Sequence, residues 1–436
     1  MSVELKTVAD AITASQFEAA SRASAAGGEH QVNEPRKTIL VMQVGVNLWP
    51  ECGGVYKCVC DFKDACDALG HRSEIHSFDQ VSGTKNDSIT HHSVIGWPVS
   101  SYIDVSPAAL GRELKERVLR ADCVIIHGVQ SLSATLVARF ALKRHVPLVV
   151  VAHGGLDPWL FTYRSWRKRI WLWFFRKELV TAPDVLIFST EQEREKAKQF
   201  VSRSSPVVIH WPVVTPEVDR KLDATSRVRQ RLKLPTDAKI LLFCGRIHPL
   251  KRVLETVKAF GAAQACSWFL LLVGPFCKEI NQERLTAACA ASGGHAVIAG
   301  PLFGEDLADC YRGASAFVSF SLRENFGYTV AEASSFGIPV LISRGIALHS
   351  DVVRRGAGRV CADESEEGMR RAIAEFCGLP DAELEAMGKC GRRWVEEELS
   401  PVQFAKSIDS VFQRIVHRKE LARRDSYQGQ STVNAV

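Results

Sequence analysis

The chain has 436 residues, of which 46% are hydrophobic and 24% are charged, as in a globular protein long enough for two or three domains. Its net charge of +6 is too small for a dedicated nucleic-acid-binding protein, whose domains usually carry a stronger and clustered basic excess. The charge is compatible with anionic substrates or with an anionic membrane surface.

The sequence has neither a transmembrane nor a secretory pattern. No stretch reaches the roughly 18 uncharged apolar residues that a spanning helix needs. The N-terminus also lacks the basic and then apolar order of a secretory signal. The 13 cysteines are scattered among apolar neighbours, without CxxC spacing or nearby histidine clusters, which is typical of reduced, buried thiols. We therefore predict a cytoplasmic protein without a metal site.

The first half of the chain alternates strand-length apolar runs with helical segments. Residues 1–36 are rich in Ala, Ser and Glu and are predicted to be a flexible N-terminal tail. A first domain is predicted over 37–215, because continuous apolar strands separated by helices indicate a parallel sheet covered on both faces. Its predicted strands are KTILVMQVGV, HRSEIHSF, ADCVIIHG, PLVVVAHGG, DVLIFST and PVVIHW.

A polar stretch containing proline then separates this series from a second one. We predict a linker over 216–235, a second domain over 236–400, and a C-terminal helix and tail over 401–436. The second series has the predicted strands AKILLFCGR, SWFLLLVGP, HAVIAGPL, SAFVSFS and IPVLIS. The predicted fold class is α/β, with two doubly wound Rossmann-like domains facing across a cleft and ligand sites at the carboxyl ends of the strands.

The segment FCGRIHPLKR, residues 243–252, is the first candidate for chemistry. A predicted buried strand ends at Gly245, and Arg246 and Lys251 follow it. A glycine at a strand end lets a ligand approach the backbone, and two cations can neutralise a departing diphosphate. A solvated basic turn before a helix would explain the same residues.

The second candidate is SLRENFGYTVAEASSFGIPV, residues 321–340. Glu324 and Glu332 are separated by seven residues across a predicted loop-to-helix junction. Phe326 and Gly327 are expected at the helix N-terminus, where backbone N–H groups form an anion site. Glu332, about two turns into the helix, could accept hydrogen bonds from ribose hydroxyls. The alternatives are a helix-dipole carboxylate at Glu324 and a solvated helix face at Glu332.

Together these two segments resemble the retaining GT-B glycosyltransferases of family 4, the glycosyl transferase group 1, over most of residues 37–400. The resemblance implies that Arg246 and Lys251 bind the donor phosphates, Glu332 holds the ribose and Glu324 contacts the transferred sugar. The donor-binding residues that it implies are Gly53, Gly54, Gly245, Arg246, Lys251, Asn325, Phe326, Gly327 and Glu332. The catalytic residues that it implies are His153, Glu324, Arg246 and Lys251. The first domain would then bind the acceptor and the second the nucleotide sugar.

Two features of the first half agree with this resemblance. Gly53 and Gly54 follow the first predicted strand and open a helix, as does the family's glycine-rich loop, although a simple turn would also explain them. His153 ends a buried strand and resembles the family histidine that contacts the sugar or orients the acceptor. A purely structural histidine is the alternative.

Residues 159–177, WLFTYRSWRKRIWLWFFRK, combine cations with Trp and Phe. Such a composition suits a lipid headgroup boundary, which would place the enzyme at the inner face of the membrane beside a lipid-linked acceptor. The same periodicity would let one helical face pack into the first domain while the cations remain in water. Both interpretations stay open at the level of the sequence.

The resemblance implies a retaining transferase that moves a hexosyl-type sugar from a nucleotide-diphosphate sugar to a glycan or lipid-linked acceptor, in polysaccharide or surface-glycan biosynthesis. The chain has no Asp-x-Asp triplet where a metal-bridged donor would need one, so we expect no metal and no cofactor beyond the co-substrate. A nucleotide-sugar epimerase of the same architecture is one alternative. A non-catalytic scaffold is another, and it would have lost the site residues that are present here.

Overall fold

The computed structural model describes residues 38–50, 53–79, 83–97, 100–161, 177–201, 205–216, 221–265 and 267–433. The predicted tail over 1–36 lies outside these ranges, as do residues 162–176 of the basic and aromatic segment. The chain divides into two compact units. The first unit contains the described parts of Gln16–Trp211 and Pro401–Val436, and the second contains those of Pro212–Ser400.

The first unit is built on a seven-stranded sheet whose strand order is β3-β2-β1-β6-β7-β8-β9, with every neighbouring pair parallel. Its strands are β1 (Leu40–Val46), β2 (Arg72–Asp79), β3 (Ile89–Ser93), β6 (Cys123–His127), β7 (Leu148–Val151), β8 (Val185–Phe188) and β9 (Ser205–Val208). A separate antiparallel hairpin joins β4 (Ile95–Trp97) to β5 (Ser100–Val105). The central strands β6, β7 and β8 are buried throughout, as expected of a parallel sheet covered on both faces.

Five of the six α-helices described in the first unit lie between its strands along the chain. The six are α1 (Gly54–Ala68), α2 (Pro107–Leu110), α3 (Arg112–Arg120), α4 (Leu132–Lys143), α5 (Glu191–Ala197) and, at the end of the chain, α14 (Pro401–Val433). Helix α14 buries Phe404, Ile408, Phe412 and Ile415, the apolar positions at helical spacing in this segment. Phe404 packs edge to face on Phe62 of α1, with ring centroids 5.2 Å apart. The C-terminal helix is therefore part of the core of the first unit.

The second unit is built on a six-stranded parallel sheet whose order is β12-β11-β10-β13-β14-β15. Its strands are β10 (Lys239–Cys244), β11 (Trp268–Val273), β12 (Ala296–Gly300), β13 (Ala316–Ser319), β14 (Val340–Ser343) and β15 (Gly358–Cys361). Its helices are α6 (Lys221–Leu232), α7 (Val253–Ala263), α8 (Gln282–Ala291), α9 (Gly304–Gly313), α10 (Tyr328–Ser335), α11 (His349–Arg355), α12 (Glu366–Cys377) and α13 (Asp381–Glu398). Strand order reverses between β10 and β13, which is where such sheets bind ligands.

The predicted α/β class with two doubly wound, Rossmann-like units is confirmed. The structure adds β3, the β4–β5 hairpin, and helix α6 inside the stretch predicted as a linker. Helix α6 buries Ala224 and Val228, four residues apart, and Arg227 forms an ion pair with Asp309 of α9 at 2.6 Å. Two apolar positions are too few to show a helical period in a charged sequence, so the sequence did not predict that this segment is a helix packed on α9.

Within the described ranges, no helix combines the length and the apolar composition needed to cross a bilayer. No disulfide joins the cysteines of those ranges.

Candidate active site

The carboxyl end of β10 leaves open backbone at Gly245. Its φ is +144°, and a Cβ added there would meet no atom within 4 Å. The neighbouring Gly274, at the end of β11, also has a φ of +145°, but its Cβ would lie 1.9 Å from the carbonyl oxygen of Gly245. Gly274 is therefore required for the close approach of two strand ends, whereas the space beside Gly245 is open.

Two cations follow this open backbone, as the sequence predicted. Arg246 is exposed directly after Gly245, and Lys251 ends a short 3₁₀ turn, Pro249–Lys251. Burial and the nearby positive charge of Arg246 lower the pKa of Lys251 to about 8. Two cations close enough to repel each other form a favourable place for a diphosphate, because its negative charge removes that repulsion.

Glu324 lies against Lys251, and their side chains form an ion pair in which both partners are partly buried. The backbone brings them together, because Leu322 donates its N–H to the carbonyl of Leu250 at 2.8 Å. Glu324 itself donates its N–H to Gly345 at 2.9 Å and accepts from Ala347 at 3.1 Å. Its backbone is thus fixed on both sides, and only the side chain can change partner when a ligand binds.

The segment after Glu324 leads into α10. Asn325 and the buried Phe326 follow Glu324, and Gly327, with φ +105°, is the N-cap of α10, which begins at Tyr328. A Cβ at Gly327 would lie 2.9 Å from Ile346, so the residue must be a glycine for reasons of space as well as of backbone conformation. The predicted anion site therefore precedes an eight-residue helix.

Glu332 occupies the fifth position of α10, so it lies about one turn into the helix rather than the two turns expected from the sequence. Its carboxylate accepts a hydrogen bond from the Tyr311 hydroxyl of α9 at 2.9 Å. Tyr311 is 2% exposed, and its burial, together with the nearby Cys244 and Glu332, raises its pKa well above the usual value. The phenol therefore stays protonated and acts as a permanent donor to the Glu332 carboxylate.

Tyr311 is a residue that the sequence analysis missed. It also contacts Cys244, the last residue of β10 and the neighbour of Gly245. Burial, followed by the charge of Glu332, raises the pKa of Cys244 to about 12, so this thiol stays neutral. Through Tyr311 and Cys244, Glu332 is connected to the strand end that carries Gly245 and Arg246. The sequence signal for the contact of Tyr311 with Glu332 was weak: Tyr311 is simply the aromatic residue of the predicted helix EDLADCYRGA.

In the first unit, His153 follows β7 in a left-handed conformation with φ +47°, which is uncommon for a residue other than glycine. The loop is held by the buried carboxylate of Glu193, which accepts hydrogen bonds from the Gly154 N–H at 2.6 Å and the Ser189 N–H at 2.7 Å. Burial lowers the pKa of His153 to about 4. His153 is therefore a neutral imidazole at neutral pH, held by a strained and well-anchored backbone.

His153 also contacts His127, a second residue that the sequence analysis missed. The His127 Nδ1 and His153 Nε2 atoms are 3.1 Å apart, and His127 ends β6, the strand beside β7. The signal was present in the sequence, since the predicted strand ADCVIIHG also finishes with a histidine. The ring of Trp211 stacks on His153 with the centroids 5.6 Å apart.

The two glycines predicted for the N-terminal loop are both exposed at the start of α1. Gly53 is the N-cap of the helix with φ +74°, and Gly54 is its first residue. The loop thus has the left-handed backbone and the absence of side chains that ligand contact requires, and a turn requires the same. Trp159, at the edge of the basic and aromatic segment, is 47% exposed, but the centre of that segment lies outside the described residues.

The structure therefore groups the predicted residues in two places. Gly245, Arg246, Lys251 and Glu324 form one cluster in the second unit, and the Tyr311 contacts join Glu332 to it. His153 lies in the first unit with His127, and Gly53 and Gly54 cap α1 of the same unit.

Two family models match this chain. The family described as Glycosyl transferases group 1 matches residues 225–394, which include every predicted site residue of the second unit. The family described as Glycosyltransferase Family 4 matches residues 52–217, which include His153.

Curated relatives carry the name D-inositol 3-phosphate glycosyltransferase. The protein from Streptomyces avermitilis is 29% identical over 230 residues, which are 50% of this chain and 49% of the relative. The protein from Streptomyces bingchenggensis is 34% identical over 176 residues, which are 38% of this chain and 39% of the relative. The chain thus matches about half or less of the length of these relatives.

Solved structures share the fold at low identity. Sucrose-phosphate synthase from Thermosynechococcus elongatus aligns with a TM-score of 0.64 and 19% identity, covering 87% of this chain and 100% of that one. HepE of Anabaena in complex with UDP and glucose aligns with a TM-score of 0.65 and 15% identity, covering 86% and 99%. The two family models match separate stretches that together make up most of the chain, so the chain belongs to the group 1, family 4 glycosyltransferases, which confirms the resemblance.

Proposed function

We propose that this protein transfers a hexosyl-type sugar from a nucleotide-diphosphate sugar to a glycan or lipid-linked acceptor, with retention of anomeric configuration, in polysaccharide or surface-glycan biosynthesis. The observation that carries the proposal is the cluster of Arg246 and Lys251 at the open strand end of Gly245, with Glu324 in contact with Lys251. Family membership supplies the reaction class, and the cluster supplies the chemistry that such a reaction needs.

The cluster fits the charge changes of glycosyl transfer. Breaking the bond between an anomeric carbon and a diphosphate leaves negative charge on the phosphate and develops positive charge on the sugar ring. Arg246 and Lys251 would stabilise the leaving diphosphate, and its arrival would release Glu324 from its ion pair with Lys251. The freed carboxylate could then contact the transferred sugar, since the Glu324 backbone is fixed by hydrogen bonds to Gly345 and Ala347.

In this proposal, the anomeric configuration is retained because the acceptor attacks the face of the sugar ring from which the leaving group departs. The acceptor oxygen forms its bond to the anomeric carbon as the bond to the diphosphate breaks, and its proton passes to the departing phosphate oxygen. Glu332, held by Tyr311, would bind the ribose hydroxyls of the nucleotide as a bidentate acceptor. We also propose that two cations make a bridging metal unnecessary, in agreement with a sequence that has no Asp-x-Asp triplet.

The names of similar proteins suggest which donors and acceptors should be tested first. A structure similar to this chain contains UDP and glucose, and another contains UDP-glucose, so UDP sugars are our first choice of donor. Curated relatives are named for D-inositol 3-phosphate, so that compound joins glycan and lipid-linked sugars in the acceptor panel. Contact with a membrane through residues 159–177 remains part of the proposal for lipid-linked acceptors.

The proposal is tested by thermal shift with UDP, GDP and ADP and their sugars, followed by a transfer assay with and without EDTA. A ligand that binds the folded state raises the melting temperature, so one nucleotide should do so selectively. Arg246→Met should lower kcat by about 100-fold, the typical loss of one preorganised stabilising contact. Arg359→Met, which removes an exposed cation of the same unit that pairs with Glu383, should leave kcat unchanged. Equal turnover in Arg246→Met would refute the assigned role, and loss of all transfer in EDTA would refute metal independence.

A further inference from the structure

A chain of polar side chains crosses the sheet of the first unit and ends at His153. The Gln43 amide nitrogen donates to the Ser73 hydroxyl at 2.8 Å, and the Gln43 oxygen lies 2.9 Å from His127 Nε2. His127 Nδ1 then lies 3.1 Å from His153 Nε2. Gln43 and His127 are only 0% and 3% exposed, so these contacts are shielded from water.

The contacts follow from the register of the sheet. Gln43 on β1 pairs with Ile75 of β2, and Ser73 lies two residues before Ile75, on the same face of the strand. On its other side, β1 pairs with β6, the strand that ends at His127, and β6 pairs with β7, which leads to His153. Four adjacent strands therefore place the four side chains in a row.

The direction of each hydrogen bond fixes the next. With its NH₂ group donating to Ser73, Gln43 can offer only its oxygen to His127, so His127 must donate from Nε2. Burial holds both histidines neutral. It lowers the pKa of His127 well below the usual value of a histidine, and it lowers the pKa of His153 to about 4. A neutral ring has one proton, so His127 Nδ1 must accept and His153 Nε2 must donate.

We propose that Gln43 and His127 are positioning residues that hold His153 in the Nε2–H tautomer. The Nδ1 atom of His153 then presents a lone pair, so the ring accepts a hydrogen bond from a hydroxyl of the sugar or of the acceptor. This inference rests on the proposed function for its chemical purpose, because it assumes that His153 touches a substrate. The tautomer itself is a property of the unliganded protein.

A metal ion is the competing explanation of the His127–His153 contact. Cys58 of α1 places its thiol with the two ring nitrogens in a group whose atoms all lie within 4.8 Å. A metal would need the Cys58 thiolate, and burial raises the pKa of this thiol well above its usual value. The metal would also replace the proton shared between the two histidine rings. The hydrogen bonds from Gln43 to Ser73 and between Gln43 and His127 account for the position of that proton without a metal.

The test is ¹⁵N NMR of protein labelled at histidine, with the His153 ring signals identified as those missing in His153→Gln. We expect His153 as a single neutral species protonated at Nε2. In Gln43→Met, which keeps the volume but removes the acceptor for His127, we expect His153 to become a mixture of tautomers. Ser73→Ala removes the acceptor of the Gln43 NH₂ group, and it gives a second test if Gln43→Met does not fold.

A matched control is available in the same unit. His76 Nδ1 and His92 Nε2 are also 3.1 Å apart, on β2 and β3, away from His153. His92→Asn should therefore leave the His153 signals unchanged. Protonation of wild-type His153 at Nδ1, the same tautomer in wild type and both row variants, or stoichiometric metal in the purified protein would each overturn the proposal.

Kinetics separate this inference from the proposed function. Loss of the row should lower kcat about fivefold, the worth of one neutral hydrogen bond of about 1 kcal/mol, while binding of the nucleoside diphosphate without its sugar, measured by thermal shift, stays the same. A wild-type protein that transfers no sugar would refute the proposed function, yet the NMR result would still decide the tautomer. Unaltered kcat in a variant whose tautomer has changed would overturn the positioning role.

Discussion

Donor binding should weaken as the pH rises through about 8, because Lys251 loses its proton there. Burial and the adjacent Arg246 lower the pKa of this ammonium to about 8 in the unliganded protein. A bound diphosphate favours the charged form and raises that pKa again, so above pH 8 the donor binds only together with a proton. Affinity is fully present below the pKa of the free site and is lost above it.

The size of the effect follows from the ionised fraction. With a pKa of about 8, about one tenth of Lys251 keeps its proton at pH 9, so the dissociation constant should rise about tenfold between pH 7 and pH 9. That change corresponds to about 1.4 kcal/mol.

Isothermal titration of the preferred nucleoside diphosphate from pH 7 to pH 9 measures this dependence. Lys251→Arg is the matched variant, because a guanidinium keeps its charge over the whole range. Its affinity should be independent of pH, apart from any change in the ligand itself. A flat profile for the wild type, or an equal decline in Lys251→Arg, would refute the reasoning.

Three further predictions concern the second unit. Tyr311→Phe should raise the dissociation constant of the nucleotide sugar severalfold in calorimetry, since the Glu332 carboxylate loses the buried hydroxyl that donates to it. Tyr328→Phe is the control for loss of a phenol hydroxyl, and it should cause a smaller change. Glu332→Ala should weaken donor binding while the unliganded protein keeps its fold; unchanged donor affinity and turnover would remove Glu332 from the site. Gly274→Ala should cost about 3 kcal/mol of unfolding free energy in urea denaturation, because its Cβ would lie 1.9 Å from the Gly245 carbonyl oxygen. Gly356→Ala, where φ is +66° and no atom lies within 4 Å, should cost only about 1 kcal/mol, and equal losses in the two variants would contradict the steric argument.

The sequence determined the central parallel strands of both sheets because these strands are largely apolar. Runs such as ILLF and LLLV are buried on both faces of the sheet, so these segments can be identified as strands from hydrophobicity and length. Helix α6 was not predicted from hydrophobicity, because only two of its described side chains are buried and Arg227 on its charged face forms an ion pair with Asp309 of α9. Where burial is shallow, helical periodicity is too weak to stand above the charged background.

The sequence also determined which residues of the second unit carry charge near the strand ends. Gly245, Arg246 and Lys251 follow one strand, and Glu324 lies in the loop after another, so parallel topology alone places them at the same edge of the sheet. The partners of these residues were decided by tertiary structure. The Lys251–Glu324 ion pair joins residues 73 positions apart, and the Tyr311–Glu332 hydrogen bond joins a side chain of one helix to a side chain of another.

The same division holds for His153. Its place at the end of a buried strand could be predicted, but the row from Ser73 through Gln43 and His127 depends on the register of four neighbouring strands. Register is set by packing of the whole sheet, and a shift of one residue would turn every side chain to the opposite face. The sequence therefore determined which residues were available for chemistry, and the tertiary structure decided their protonation, their orientation and their partners.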